Sequence, residues 1–129
     1  MTLRAGVAGQ PIAHSLSPLI HTAWIAAAGL DADYRAFGPA DAAGFADLVA
    51  EGRAGRLRGL NVTAPFKEQA LTLADAASAT ARACGSANLL VFEGGRLRAD
   101  STDGVGLMAA LAQQAPQLDV RGRSVVVLG

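Results

Sequence analysis

Short apolar runs alternate along the chain with longer segments whose apolar residues recur at helical spacing. The short runs predict buried strands, at residues 3–9, 33–37 and 60–63. The longer segments predict helices, at residues 17–28, 42–52, 65–73 and 75–83. Strands that alternate with helices in this way are typical of βαβ units and a parallel sheet.

Local signals mark the ends of the first helix. Ser17 followed by Pro18 is typical of a helix N-terminus, with the serine as capping residue and the proline in the first turn. Gly29 indicates the end of the same helix, because glycine readily adopts the left-handed conformation that closes one. We therefore expect the chain to enter this helix directly from the loop after the first strand.

The pattern changes in the last third of the chain. Residues 88–92 and 96–100 predict two strands joined by a Gly-containing turn, and thus a β-hairpin. A helix at 105–115 follows, and Ser124–Leu128 has the composition of a buried parallel strand that opens a Rossmann unit. We predict an α/β fold with an open, mostly parallel twisted sheet, flanking helices and this hairpin. The predicted division is a domain at 1–103, a connecting helix at 104–116 and the first strand of an incomplete Rossmann domain at 117–129.

Composition excludes several classes of protein. Eleven basic residues balance eleven acidic ones, which argues against binding to nucleic acid or to an anionic membrane surface. One cysteine, Cys84, excludes a disulfide within the chain and a cysteine-rich zinc module. No apolar run is long enough to span a bilayer, and the N-terminus has no secretory pattern. We expect a cytoplasmic protein in a reducing compartment.

Three polar residues are notable for their rarity. The chain has 29 alanines but only one lysine, Lys67, and two asparagines, Asn61 and Asn88. Such a bias is typical of a GC-rich coding background, in which lysine and asparagine are replaced wherever another residue serves. A residue type that the chain otherwise avoids is more often present for its chemistry.

Two serines are candidates for binding an anion. Ser15 and Ser17 combine two hydroxyl groups with the backbone N–H groups of a helix N-terminus, a setting that suits a carboxylate. The alternative is that Ser17 only caps the helix and Ser15 is an ordinary loop residue.

A second group of candidates follows the third strand and the hairpin. Ligands bind at the carboxyl ends of strands in open α/β sheets, which is where Asn61, Thr63 and Lys67 fall. Asp103 beside Lys67 would form a lysine–carboxylate pair able to transfer a proton, and Asn88 could present its amide to a hydroxylated ligand. The alternatives are a helix cap for Asp103, turn roles for the asparagines and a solvated Lys67.

Four ordered segments of the chain resemble the shikimate dehydrogenase family. They are Gly9-Gln-Pro-Ile-Ala-His-Ser-Leu-Ser-Pro18, Asn61-Val-Thr-Ala-Pro-Phe-Lys-Glu68, Gly85-Ser-Ala-Asn88 and Ser101-Thr-Asp-Gly-Val-Gly106. The resemblance implies a substrate domain followed by an NADP-binding Rossmann domain. It also implies the reversible, NADP-dependent reduction of 3-dehydroshikimate to shikimate, in the biosynthesis of chorismate and the aromatic amino acids.

The resemblance also implies roles for individual residues. Ser15 and Ser17 would hold the substrate carboxylate, and Lys67 would be the catalytic acid/base with Asp103 as its partner. Thr63, Asn88 and Asp103 would contact the ring hydroxyl groups. The predicted substrate-binding set also includes Asn61 and Lys67. Gly129 would begin the cofactor-binding turn. Because no glycine-rich turn follows Gly129, we expect these residues alone not to bind NADP productively.

Some positions depart from the family pattern and leave alternatives open. Leu89 stands where threonine is usual, Ser101 where asparagine is common, and Ser86-Ala87 where Ala-Val is more common. A quinate/shikimate dehydrogenase is therefore an alternative. Two further alternatives are a non-catalytic module that binds a small hydroxy acid and a structural remnant of the enzyme. A homodimer is compatible with the sequence.

Overall fold

The computed structural model describes residues 1–128, which contain six strands and five helices. The strands are β1 (Leu3–Ala8), β2 (Ala32–Phe37), β3 (Gly59–Val62), β4 (Ala76–Ala77), β5 (Leu89–Glu93) and β6 (Arg96–Asp100). The helices are α1 (Ser17–Ala27), α2 (Ala42–Arg53), α3 (Lys67–Leu73), α4 (Ala79–Cys84) and α5 (Asp103–Gln114). The predicted elements therefore occur in the predicted order, apart from two differences described below.

All six strands form one mixed sheet in the order β2-β1-β3-β5-β6-β4. The pairings of β1 with β2, of β1 with β3 and of β4 with β6 are parallel. The hairpin strand β5 is antiparallel to both of its neighbours, β3 and β6. The prediction of a mostly parallel α/β sheet with a β-hairpin is confirmed.

One face of the sheet carries the main hydrophobic core. Helices α2, α3 and α4 contribute Phe45, Val49, Ala70 and Ala81, which pack with the buried strand residues Leu60, Val62, Leu90, Phe92, Leu97 and Ala99. Close packing of α2 on the sheet depends on Gly52, since a Cβ there would lie 2.5 Å from two ring carbons of Phe92. Alanine and valine make up half of this core, and at Gly52 the helix and the sheet approach each other closely.

The opposite face carries α1, which lies over β1 and β2. Side chains alternate between the two faces of a strand. Leu60 and Val62 point into the core, so Asn61 between them points to the face that carries α1. Tyr34 of β2 stacks on His21 of α1, with ring centroids 4.0 Å apart. This stacking holds α1 against β2.

The structure corrects the predicted start of the first helix. Leu16 takes the N-cap position, and Ser17 is the first helical residue. The prediction that Ser17 caps this helix is wrong, because the Ser15 hydroxyl accepts the Ser17 N–H over 3.3 Å and so satisfies it from outside the helix. Leu16, as the N-cap residue, makes no side-chain cap hydrogen bond.

The predicted helix at 75–83 is also wrong at its beginning. Residues 76–77 form the edge strand β4, and only Ala79–Cys84 are helical. The Asp75 N–H donates to the Leu97 carbonyl (2.9 Å), while the Asp75 carboxylate accepts the Leu97 N–H (2.7 Å). Pairing with β6 thus prevails over the helical preference of alanine, a weak preference that tertiary contacts readily override.

The predicted strand at Ser124–Leu128 does not form in the described residues. These five residues have no regular secondary structure, and their apolar side chains are exposed. A parallel strand requires hydrogen-bonded neighbours, and within residues 1–128 no strand lies beside this segment. No helix among the same residues is long and apolar enough to cross a membrane.

Candidate functional site

The hairpin brings its two ends to the edge of the sheet where β1 and β3 finish. Because β5 runs antiparallel to β3, the residue before β5, Asn88, lies beside the carboxyl end of β3. The Val62 N–H donates to the Asn88 carbonyl over 2.8 Å and fixes this position. The second hairpin strand returns to the same edge, so Asp103 at the start of α5 also arrives there.

Lys67, Asn88 and Asp103 meet at this edge, as the sequence predicts for the lysine and the carboxylate. Lys67 Nζ donates to Asp103 Oδ2 over 2.6 Å, and Asn88 Nδ2 donates to Asp103 Oδ1 over 3.1 Å. The two carboxylate oxygens of Asp103 thus accept from different partners. The Lys67 side chain is 33% exposed and that of Asp103 52%, so the pair is accessible to a small molecule from solvent.

The Asn88 side chain holds the turn that carries Asp103. Its Oδ1 accepts the Thr102 N–H over 2.9 Å, and its Nδ2 also donates to Thr102 Oγ1 over 2.8 Å. With the bond to Asp103, both amide hydrogens of Asn88 are occupied by the protein. In this structure Asn88 therefore orients Asp103, and only its carbonyl oxygen retains capacity to accept a hydrogen bond from a ligand.

A backbone hydrogen bond fixes the start of α3, where Lys67 lies. Lys67 is the first residue of this helix, and its carbonyl accepts the Ala87 N–H over 2.9 Å. This bond connects α3 to the residue before Asn88. An ammonium group held beside an oriented carboxylate is an arrangement that can donate a proton to, or accept one from, a substrate oxygen.

A second polar group lies where α1 begins. The Tyr34 hydroxyl donates to Asn61 Oδ1 over 2.6 Å, which connects β2 to β3 across β1. Burial raises the pKa of Tyr34 to about 12, and a hydrogen bond with the Ser17 side chain opposes that rise. Ser17, Tyr34 and Asn61 are therefore neighbours. The nearby Ser15 uses its oxygen to accept from the Ser17 N–H and keeps its hydroxyl hydrogen to donate.

Thr63 lies between the two groups in sequence, directly after β3. Its N–H donates to the Ala8 carbonyl over 2.9 Å, which continues the pairing with β1. Gly9 has no side chain, and the Thr63 methyl group occupies the space that a Cβ there would take. Within residues 1–128 the Thr63 hydroxyl makes no hydrogen bond to protein, so it is free to bind a ligand.

The structure thus brings the predicted site residues together in two groups. One comprises Lys67, Asn88 and Asp103, and the other Ser15, Ser17 and Asn61. The sequence analysis missed Tyr34, which connects Ser17 to Asn61, and Thr102, which both groups of the Asn88 amide contact. The signal for Tyr34 was available, because it is the only tyrosine in the chain, as Lys67 is the only lysine.

Residues 1–128 form no site for a metal ion, since they contain no cluster of three or more His, Cys, Asp or Glu side chains suited to one. Within residues 1–128 no strand is followed by the glycine-rich turn and helix that hold the phosphates of NADP in Rossmann domains. The predicted cofactor residue Gly129 lies outside the described residues.

Comparisons with known proteins agree on one family. A sequence model of the shikimate dehydrogenase substrate binding domain matches residues 7–90. A curated relative, the NADP(+) shikimate dehydrogenase of Caulobacter vibrioides, is 61% identical over 125 residues. That match covers 96% of this chain and 44% of the relative, so the chain spans less than half the length of this relative.

Solved structures share the fold. The shikimate 5-dehydrogenase of Thermus thermophilus in complex with shikimate has a TM-score of 0.81 and 35% identity, covering 93% of this chain and 45% of that one. The ligand-free 5-ketofructose reductase of a Gluconobacter species also has a TM-score of 0.81, with 30% identity over 88% of this chain and 40% of its own.

Proposed function

Because the chain belongs to the shikimate dehydrogenase family, we propose that it supplies the substrate-binding part of an NADP-dependent enzyme that interconverts 3-dehydroshikimate and shikimate. The observation that carries the proposal is the contact of Lys67 with Asp103, whose second oxygen is held by Asn88. In this assignment residues 1–103 are the substrate domain, 104–116 a connecting helix and 117–129 the start of the cofactor domain.

The proposed chemistry explains why a lysine and a carboxylate are paired. Bound to the full-length enzyme, NADPH would supply a hydride for the ketone carbon, and the ketone oxygen would gain negative charge and need a proton. The Lys67 ammonium group stabilises that negative charge and gives its proton to the oxygen. Asp103 keeps the ammonium group in place, and solvent, which reaches the pair, returns the proton to the amine. In the reverse direction the neutral amine accepts the proton of the alcohol.

The other residues of the site would bind and orient the substrate. The hydroxyl groups of Ser15 and Ser17 suit the carboxylate, next to the N-terminus of α1. The Thr63 hydroxyl and the Asn61 amide are available for ring hydroxyl groups. Several directional hydrogen bonds to one small ring fix which carbon faces the hydride donor, and such orientation contributes several kcal/mol to catalysis.

The first experiment is kinetic and uses the full-length protein with Lys67→Met. We expect kcat for shikimate oxidation to fall by about 10²- to 10⁴-fold with little change in KM, as for a group that acts in the transition state. Glu68→Gln is the matched control, since Glu68 is the exposed next residue of the same helix and should leave kcat unchanged. An inactive wild-type protein, or a Lys67→Met variant of normal rate, contradicts the proposal.

A quinate/shikimate dehydrogenase is the second candidate. It is favoured by Leu89, which puts an apolar side chain directly after Asn88 where the family usually has a threonine hydroxyl group. The ratio of kcat/KM for shikimate and quinate distinguishes the two. A non-catalytic binding module would bind shikimate with no turnover for Lys67→Met to reduce.

We also propose a cytoplasmic location and a homodimer for the full-length protein. A cytoplasmic location agrees with the one exposed thiol, Cys84. A homodimer is tested by measuring the mass of the full-length protein in solution.

A further inference from the structure

We propose that Tyr34 is a positioning residue that holds the Asn61 side chain with its NH₂ group directed to the substrate. The proposal rests on the proposed function and adds a residue to it. Tyr34 would act through Asn61 and would not touch the substrate itself.

The hydrogen-bond chemistry of Tyr34 fixes the orientation of the amide. The phenol oxygen has one hydrogen to donate, and it donates that hydrogen to Asn61 Oδ1 over 2.6 Å. The Ser17 side chain lies beside the same phenol group. The carbonyl end of Asn61 is thereby occupied by Tyr34, and its NH₂ end is left as the group that can bind a ligand.

Tyr34 is itself held in place on three sides. The residue is 8% exposed, and its backbone pairs with Ala5 of β1. Its ring stacks on His21 at an interplanar angle of 8°, and His21 Nδ1 lies 2.9 Å from the Ser17 carbonyl oxygen. The phenol oxygen therefore has a fixed position relative to both α1 and β3.

The orientation of the amide decides which ligand group Asn61 can recognise. An NH₂ group donates to hydroxyl or carboxylate oxygens, whereas the carbonyl end of the same amide can only accept. The oxygen atoms of a hydroxylated carboxylate substrate can accept hydrogen bonds, so the NH₂ group of Asn61 can bind them. Without the Tyr34 hydroxyl group the Asn61 amide could rotate by half a turn and present its carbonyl oxygen to the substrate in place of its NH₂ group.

The test compares full-length wild type with Tyr34→Phe, which removes only the hydroxyl group. We expect KM for shikimate to rise about 3- to 10-fold, the loss of roughly one hydrogen bond, while kcat changes little. Thr72→Val is the matched control, because its hydroxyl donates to a backbone carbonyl within α3 and should leave KM unchanged. A Tyr34→Phe enzyme with the KM of wild type overturns the proposal.

A double-mutant cycle separates positioning from a structural role. If Tyr34 acts through Asn61, Tyr34→Phe should have little further effect on KM once Asn61 has been replaced by alanine. Effects on KM that multiply independently overturn the proposal, since a change that only weakens the fold does not depend on Asn61.

A third readout does not depend on activity. The side-chain NH₂ signal of Asn61 in a nitrogen-15 spectrum is identified by its loss in Asn61→Ala. In Tyr34→Phe this signal should shift or broaden as the amide rotates, and an unchanged signal overturns the proposal. A wild-type enzyme that does not oxidise shikimate contradicts the proposed function, while the NH₂ signal still decides the role of Tyr34.

Discussion

Replacement of Gly52 by alanine tests the packing of α2 on the sheet. Helix propensity alone favours the substitution by up to about 1 kcal/mol, because glycine is the more flexible residue. The structure indicates the opposite result. The new Cβ would lie 2.5 Å from Cε1 and Cε2 of Phe92, and closer still to Cζ. Phe92 is 3% exposed, so its ring has no open space to enter.

The magnitude follows from these opposing terms. Overpacking of a core typically costs about 1–3 kcal/mol, and three ring atoms in conflict place this site at the upper end. After the gain in helix propensity, we expect Gly52→Ala to destabilise the chain by about 2 kcal/mol. For a domain of this size that corresponds to a decrease in Tm of roughly 6–10 °C.

The assay is thermal and urea denaturation followed by circular dichroism. Gly106→Ala is the control, because it lies in α5 with no atom within 4 Å of its added Cβ and should be neutral or stabilising. Phe92→Leu removes the ring atoms in conflict, so the double variant with Gly52→Ala should be less destabilised than the sum of the single variants. A Gly52→Ala chain at least as stable as wild type would refute the reasoning.

Two further predictions concern charged and amide side chains. Hydrogen bonds from Arg53 and from the Leu97 N–H lower the pKa of Asp75 to about 2, so its stabilising contribution is complete above pH 4 and is lost as the pH falls towards 2. Denaturation midpoints measured from pH 5 to pH 2 should therefore fall less steeply for Asp75→Asn than for wild type, and equal slopes would contradict this. For Asn88→Ala we expect kcat of the full-length enzyme to fall roughly 10- to 100-fold, because Asp103 loses the donor that orients it. Single-turnover kinetics measure this directly, and a normal rate would show that Asp103 needs no such support.

The elements that were predictable from sequence are those determined by local pattern. The apolar run that forms β1 and the Gly94-Gly95 turn of the hairpin are examples, since both depend on neighbouring residues. The helix predicted from Asp75 onwards failed because the backbone of Asp75 pairs with Leu97, 22 residues away. A pattern taken from a few neighbouring alanines cannot predict a backbone contact at that separation.

For the candidate site, the sequence indicated which residues to consider but not how they contact one another. The rarity of Lys67, Asn61 and Asn88 in the sequence drew attention to three residues that the structure places in the candidate site. It did not show that the Asn88 amide is used to orient Asp103, because this depends on the antiparallel course of β5. The role of Tyr34 was hidden for a similar reason, since β1 lies between its strand and that of Asn61.

The topology of the sheet also has a kinetic consequence. Lys67 and Asp103 are separated by 36 residues in sequence, and Tyr34 and Asn61 by 27. Closing such long loops costs entropy that is recovered only when non-local strands pair, which places these contacts late in folding. Strands β3 and β5 must therefore pair before Lys67 can contact Asp103. Helices form from local contacts, so we expect them to precede this contact during folding.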